Sequence, residues 1–482
     1  MTPGRLILVT GVTGYIGGSL VPRLVEKGYR VRMLVRDPSR LTGRSWLSQV
    51  EVVHGDILSP KVLNQAMQGV SAAYYLIHNM NSGRNYYDKE ILSARNFASA
   101  ADTHGLEHII YLGGLADPDK DIGLHLHSRI QTGNTLRLGR VAVTEFRASL
   151  IIGSGSISFE LIRYLTEQFP ILLGPHWMHN LTQPIAIQNV LDYLVAALEN
   201  PDSRGKIYEI GGKEVLTYAG TLSAYANQRG LKRRIIHIPG LPVPLMAWVA
   251  GLLTPVPARI AGPLLGGMRS DSVVREDAAR RDFPWVQPLG YQTAVELALQ
   301  HLRPDSLEFG LENGASSFRI KQEGFFIEGG RIGLQVQPEA AYRVITGLGG
   351  RSGWLYLNGL WKLRGVIDRL VGGPGLRGRS SDDELSEAEV VDFYRVERLE
   401  ARRLVRLRSE LIAPGTGWME WRIQPRLEGG ISLTQIAYFA PLGFAGFIYW
   451  YVLLPFHRLV LTGLLKAISR RADAVQRAGM KD

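Results

Sequence analysis

The tightest constraint on this chain is the turn between its first apolar run and its first helix. Leu6 to Val9 form a continuous apolar run, as a strand buried on both faces of a parallel sheet requires. Gly11, Gly14 and Gly17 follow at once, and an amphipathic segment through Ile16, Leu20 and Leu24 continues until Gly28 stops it. A tight strand-to-helix turn and a close approach of backbone to pyrophosphate both exclude a Cβ, while the new helix offers its first N–H groups to the anion. Glycines alone would suit any tight turn. Set between a buried strand and a helix, the stretch Gly11 to Gly17, with Thr13, Tyr15 and Ile16 inside it, reads as a dinucleotide-binding turn.

A second strand, Tyr29 to Val35, ends in Arg36-Asp37-Pro38. In such a fold the residue at this strand end meets the adenosine ribose, where an acid bonds the 2′-hydroxyl and arginine suits a 2′-phosphate. Arg36 points to NADP over NAD; a solvated arginine beside Asp37 is the plainer alternative. A third strand, Val50 to Val53, runs into Gly55-Asp56-Ile57 and a helix with Val62, Leu63, Ala66 and Met67. Ala72 to Ile77 reads as a fourth strand, Asp88 to His104 as a helix and His108 to Leu112 as a fifth strand. The alternation predicts an α/β, Rossmann-type doubly wound parallel sheet, with ligands at the carboxyl ends of the strands near Asp56, His78 and Gly113-Gly114.

The length of 482 residues leaves room for two or three domains. With no cysteine, the chain has no disulfide framework, thiolate metal site or cysteine nucleophile. No basic and apolar leader precedes Leu6, which leads us to expect a cytoplasmic protein. The net charge of +11 favours anionic partners, either a phosphorylated cofactor or an anionic membrane surface. Nucleic acid is not expected, because the basic residues are spread out and no recognition module is present.

Thr10 to Gly17, Leu34 to Pro38, Gly55 to Ile57 and Tyr111 to Leu115 together resemble the extended and atypical short-chain dehydrogenase/reductases, above all their NmrA-like, NAD(P)-binding branch. The resemblance continues through Phe146 to Gly153, Ser158 to Leu165 and Pro184 to Val190, so it covers roughly the first 300 residues. It implies that Asp56 and Ile57 contact adenine and that residues around His78 and Gly113 line the nicotinamide side. Family members that transfer hydride use a serine after the fifth strand and a tyrosine four residues before a lysine. Here Gly113-Gly114 replaces the serine, and His125 and Arg129 stand at the tyrosine and lysine places. Arg129 could hold the cofactor ribose, and His125 or His127 could shuttle a proton. The alternatives are that these histidines are loop residues before a helix and that the protein binds cofactor without turnover.

Asp117 to Asp121 holds three acids in a short polar loop but lacks the glycine turn and distal glutamate of a calcium site, so no metal is expected. The charge-poor, proline-broken stretch Ile238 to Pro257 predicts short buried helices walling an apolar substrate pocket.

The alternation ends around Arg303 to Ser306 and Glu312 to Ser316, giving domains 1–305 and 315–482. In the second, Phe325 to Val336 reads as a strand or a hairpin turned at Gly329-Gly330; Pro338 to Ile345 and Leu360 to Val371 read as helices. Antiparallel strands follow at Glu389 to Glu397, Leu404 to Leu411, Trp418 to Ile423 and Ile431 to Phe439, and Met419, Trp421 and Ile423 alternate with Trp418, Glu420 and Arg422 as in a sheet with one covered face. With a long C-terminal helix, this order resembles the START-like or polyketide-cyclase-like helix-grip fold, an α+β fold that implies an apolar cavity for a hydrophobic small molecule. Gly372 to Arg379 reads as an anion cradle built on Arg377 and Arg379, or as a flexible loop. Ala437 to Phe456, roughly twenty residues without charge, reads as cavity wall or as membrane contact, with the basic tail through Arg477 suited to an anionic surface. The function expected is an NADP-dependent oxidoreductase for a hydrophobic substrate, or else a non-catalytic NAD(P)H-sensing or ligand-carrying protein.

Overall fold

The computed structural model describes residues 4–41, 44, 46–78, 86–117, 122–254, 256–300, 317–322, 325–379, 385–426 and 429–478. Two compact units divide the chain, Met1–Leu311 and Glu312–Asp482.

The first unit alternates β1 (Leu6–Thr10), α1 (Tyr15–Glu26), β2 (Arg30–Val35), β3 (Glu51–His54), α2 (Pro60–Met67), β4 (Ala72–Tyr75), α3 (Tyr86–Thr103), β5 (His108–Gly114), α4 (Leu124–Leu136) and β6 (Val143–Ala148). Short strands β7 (Ile151–Ile152), β8 (Ile171–Gly174), β9 (Leu181–Thr182) and β10 (Ile185–Ala186), with α5 (Ile157–Gln168) and α6 (Ile187–Glu199), lead to β11 (Ile207–Ile210). After them come β12 (Leu216–Thr217), α7 (Tyr218–Gln228), β13 (Arg234–His237), α8 (Val243–Leu253), α9 (Ala258–Gly267), α10 (Ala278–Asp282) and α11 (Tyr291–Gln300).

The main sheet runs β11-β6-β5-β4-β1-β2-β3, all parallel. Ile7 and Val9 pack on one face with Leu20, Tyr74 and Phe146, whereas Leu6 and Leu8 pack on the other with Leu63, Phe97 and Tyr111. Helices cover both faces, which is why β1 had to be apolar throughout. Strand order reverses between β1 and β4, so a crevice opens beyond their carboxyl ends. His125 and His127 lie within α4, not in a loop ahead of a helix.

The second unit runs β14 (Ser317–Gln322), β15 (Phe325–Leu334), α12 (Pro338–Thr346), α13 (Asn358–Leu370), β16 (Val390–Val391), β17 (Tyr394–Glu400), β18 (Leu404–Ser409), β19 (Gly415–Pro425), β20 (Ile431–Pro441) and α14 (Gly443–Ala478). Its strands form one antiparallel sheet in the order β14-β15-β20-β19-β18-β17-β16. Two alternatives that the sequence left open are decided here, the first in favour of the strand. β15 passes straight through Gly329-Gly330 instead of turning there, and its hairpin partner is β14. A Cβ on Gly329 would lie 2.4 Å from the Gln435 carbonyl oxygen and 2.6 Å from the Phe318 ring, so glycine serves close packing rather than a turn. The Gly372 to Arg379 loop is not an open anion cradle. Asp368 accepts the Gly375 N–H at 2.9 Å, Arg377 pairs with Glu410, and Arg379 donates to the Thr346 carbonyl at 2.8 Å.

Ala437 to Phe456 is not one span. Its first residues finish β20 and the rest open α14, which is long and apolar enough to cross a membrane and carries Pro455 inside it. The later half of α14 packs on the sheet, with Leu461, Leu464, Leu465 and Ile468 joining Met419, Trp421, Ile423 and Leu433 in one core. On the opposite face Glu420 is fully buried, pairing with Arg406 and Arg422 and accepting from the Tyr438 hydroxyl at 3.1 Å. A buried ion pair loses far more on removal of one partner than it gained on forming, because the other charge is stranded. Glu420→Ala should therefore destabilise the second unit by about 3–5 kcal/mol. Urea denaturation of the full chain, followed by tryptophan fluorescence, measures this as an earlier transition.

Candidate functional site

The crevice between β1 and β4 is a cleft of about 790 Å3. At its floor the Thr10 hydroxyl donates to the Tyr74 carbonyl at 2.9 Å and accepts the Leu76 N–H at 3.3 Å, tying the ends of β1 and β4 together. Gly11 then adopts φ +75°, and a Cβ there would lie 2.4 Å from the Leu76 carbonyl oxygen. A Cβ on Gly17 would lie 2.5 Å from the Gly11 carbonyl oxygen. The glycines thus fold the turn back on itself, and α1 begins with no side-chain cap at Gly14. Gly11, Thr13, Gly14, Tyr15, Ile16 and Gly17 all line the cleft.

At the end of β2, Arg36 and Asp37 line the cleft together with Arg40, which the sequence reading missed. Asp56 accepts the Leu58 N–H at 2.9 Å, which holds the turn after β3 with Asp56 and Ile57 on the cleft wall. Gly113 and Gly114 line it from β5.

Below the β4 end sits a cluster that no single motif announced. His78 Nδ1 bonds the Glu90 carboxylate, and the Ser128 hydroxyl donates to its other oxygen. The His125 ring stacks on His78 with centroids 4.9 Å apart, and its buried Nδ1 has no hydrogen-bond partner among the described residues. Arg129 donates to the Ile77 carbonyl at 3.2 Å and to the Leu112 carbonyl, with its guanidinium 4.9 Å from the Tyr111 ring. Arg129 lines the cleft, and its guanidinium clasps the ends of β4 and β5. Glu90 was missed, although it shares an i, i+4, i+7 face with Ala94 and Phe97, and an acid on such a face signals a buried network. Lys89 on α3 lines the cleft as well.

The far end is apolar, with Leu161 from α5, Ile260 and Leu264 from α9, Met268, and Tyr218 from α7. The wall comes from α9, just beyond the predicted Ile238 to Pro257 stretch. α8 backs α9 in a cluster with Ala247, Ala250 and Ile260. Asp117 pairs with Arg275 at 3.0 Å, while Asp119 and Asp121 lie outside the described residues. Among the described residues no His, Asp and Glu side chains converge as a metal site.

Burial, then the charges of His78 and Arg129, lowers the His125 imidazole to about 3. Burial alone would raise the Glu90 carboxyl, but the His78 bond, the positive neighbours and Ser128 outweigh it and hold it at about 2. His125 is therefore neutral and Glu90 ionised at neutral pH. A folded-state histidine near 3 leaves the unfolded chain to take up the proton first, so stability falls as pH drops below about 6.5. Glu90 stabilises above about 4.3, and that contribution is lost as pH falls toward its folded value. His125→Gln should flatten the upper window, between about pH 6 and 4, by up to one proton's slope, about 1.4 kcal/mol per pH unit. His108, lowered to about 3 by burial and nearby arginines, contributes in both proteins. Urea titrations of both proteins across this range check the difference.

Residues 3–128 match the NmrA-like family model, and residues 326–464 match one described as a protein of unknown function (DUF2867). The chain is 28% identical over 220 residues to (4-alkanoyl-5-oxo-2,5-dihydrofuran-3-yl)methyl phosphate reductase of Streptomyces griseus, covering 44% of this chain and 70% of that one. It is 25% identical over 242 residues to ceramide reductase of Caulobacter vibrioides, covering 48% and 74%. A 3 beta-hydroxysteroid dehydrogenase/Delta 5-->4-isomerase of Mycobacterium tuberculosis is 27% identical over 135 residues, 28% of this chain, and the match spans only 35% of that relative. Among solved structures, triphenylmethane reductase of Citrobacter sp. complexed with NADP(H) aligns with TM-score 0.50 and 21% identity, over 61% of this chain and 99% of that one. Residues 3–128 of the first unit are accordingly similar to the NmrA-like family, and the parallel sheet that they open has the Rossmann fold.

Proposed function

We propose that the first unit binds NADP(H) in this cleft and reduces a carbonyl or enone on a hydrophobic small molecule. The observation that carries this reading is the joining, in one cleft, of a Cβ-free turn, two arginines at the β2 end and a neutral histidine beside an apolar wall. The residues fit the cofactor. Gly11 and Gly17 leave a cradle that any Cβ would fill, and the uncapped start of α1 suits a pyrophosphate. Arg36 and Arg40 favour a 2′-phosphate and hence NADP over NAD. Asp56 and Ile57 would hold the adenine, and His78, Gly113 and Arg129 the nicotinamide side. The reductase names of the Streptomyces and Caulobacter relatives support the reaction class.

When bound, the cofactor supplies a hydride. His125, neutral, would donate an N–H hydrogen bond to the oxygen where negative charge develops, and the resulting alkoxide would take its proton from water as the product leaves the cleft. His78, fixed by ionised Glu90, stacks on that ring and restricts its rotation. Leu161, Ile260 and Leu264 exclude water from the reacting end. A hydrophobic-ligand role for the second unit is supported by its element order, two helices and an antiparallel sheet ahead of a long helix.

One observation favours a second reading, a protein that senses NADPH without consuming it. α4 carries His125 and Arg129 where a tyrosine and a lysine would stand, and Arg129 is tied to the Ile77 and Leu112 carbonyls. NADPH oxidation in the presence of apolar aldehydes, ketones and enones separates the two readings. Reduction should occur, and His125→Phe should lower kcat by roughly 10²–10⁴-fold while leaving the NADPH Kd unchanged. NADPH binding with no oxidation across all three classes would establish the sensor reading instead.

A further inference from the structure

Two helices of the second unit turn their apolar faces outward. α13 buries Gly365 and Asp368 while Leu363, Val366, Ile367 and Leu370 stand exposed, Leu370 to 82%. An amphipathic helix on a water-facing surface does the opposite. In the first half of α14, Phe444, Ile448, Val452, Phe456 and Leu459 recur at three- or four-residue spacing, all exposed. Arg364 on α13 donates to the Tyr449 hydroxyl at 3.3 Å, joining the helices beside these faces. Exposed apolar stripes of this kind mark a docking site.

The exposed charges on α13 and along α14 as far as Ala472 are basic, with Asp473 the first acid beyond them. α14 has no carboxylate from Gly443 to Ala472, and its stripe continues past Leu459 into Lys466 and Arg470. On α13 the exposed charges are Lys362 and Arg369, because Asp368 turns inward to accept the Gly375 and Ile412 N–H groups. Beside Tyr356 and Leu459 lies a cleft of about 680 Å3 that holds Lys466, Arg470 and Arg471. Among the described residues none of these three cations forms an ion pair with a carboxylate.

We propose that this face docks on an anionic lipid bilayer. The apolar stripes of α13 and α14 enter the headgroup boundary, and the cleft at Lys466, Arg470 and Arg471 receives a phosphate headgroup. A second copy of the same face would set cation against cation, and an apolar protein groove would need no cationic border. The proposal is independent of the cofactor reading and places the second unit where an apolar substrate would be dissolved.

The test is co-sedimentation of the full chain with vesicles of phosphatidylcholine, alone or mixed with phosphatidylglycerol. The protein should pellet with the mixed vesicles and remain in solution with the neutral ones. Lys466→Glu with Arg470→Glu should weaken the mixed-vesicle affinity by roughly 30-fold or more. Val452→Glu with Phe456→Glu should abolish pelleting. All four residues are exposed, and circular dichroism checks that each variant is folded. Equal binding to both vesicle types, binding to neither, or variants that pellet like the parent would overturn the proposal. So would full competition by inorganic phosphate, or a dimer in sedimentation equilibrium that Val452→Glu dissolves.

Discussion

The backbone at Gly11 passes so close to the Leu76 carbonyl that no side chain fits between them, and the first unit is arranged around that approach. Thr10 bonds both Tyr74 and Leu76, so the ends of β1 and β4 are locked where strand order reverses. Positive φ at Gly11 then turns the chain sharply enough to start α1 over the same crevice. A Cβ at Gly11 or Gly17 would push the turn open and separate the helix start from the strand ends. The cradle, the cleft and the positions of Arg36 and His78 all follow from this contact.

Electrostatics sets the chemistry at the other end of the cleft. A buried carboxylate is tolerated only when its partners repay its desolvation, and Glu90 has His78 and Ser128 bonded to it, with the charge of Arg129 nearby. That network fixes His78, which in turn stacks on His125 and helps keep it neutral. The second unit uses the same device for a different end. Glu420 with Arg406, Arg422 and Tyr438 sits in the face of a sheet, distant in sequence from any cleft-lining residue of the first unit, and serves packing. Burial of a charge therefore does not by itself mark a site; what distinguishes Glu90 is that its histidine partner faces open space.

Local pattern made the cofactor half of the cleft legible. Gly11 to Gly17, Arg36 and Asp56 each follow a strand and Gly113 lies in the last residues of one, so topology alone brought them together. Glu90 and Ser128 were harder, because their partners come from α3, α4 and the end of β4, and only tertiary packing sets them face to face. Gly329-Gly330 left strand and hairpin both open for a related reason. A glycine pair in a strand looks like a turn until the Gln435 carbonyl and the Phe318 ring are seen pressing on it. The sequence showed α13 as a helix but not which face it buries, since Leu376, which packs on Gly365, lies beyond it.

The central claim is that the cleft at Gly11 and Arg36 holds NADP(H). Calorimetric titration of NADPH and NADH into the intact protein and into Arg36→Ala and Arg40→Ala variants tests it most directly. Tight NADPH binding, weak NADH binding and a selective loss for NADPH of roughly tenfold or more in each variant are expected. Binding of neither nucleotide to the intact protein would contradict it.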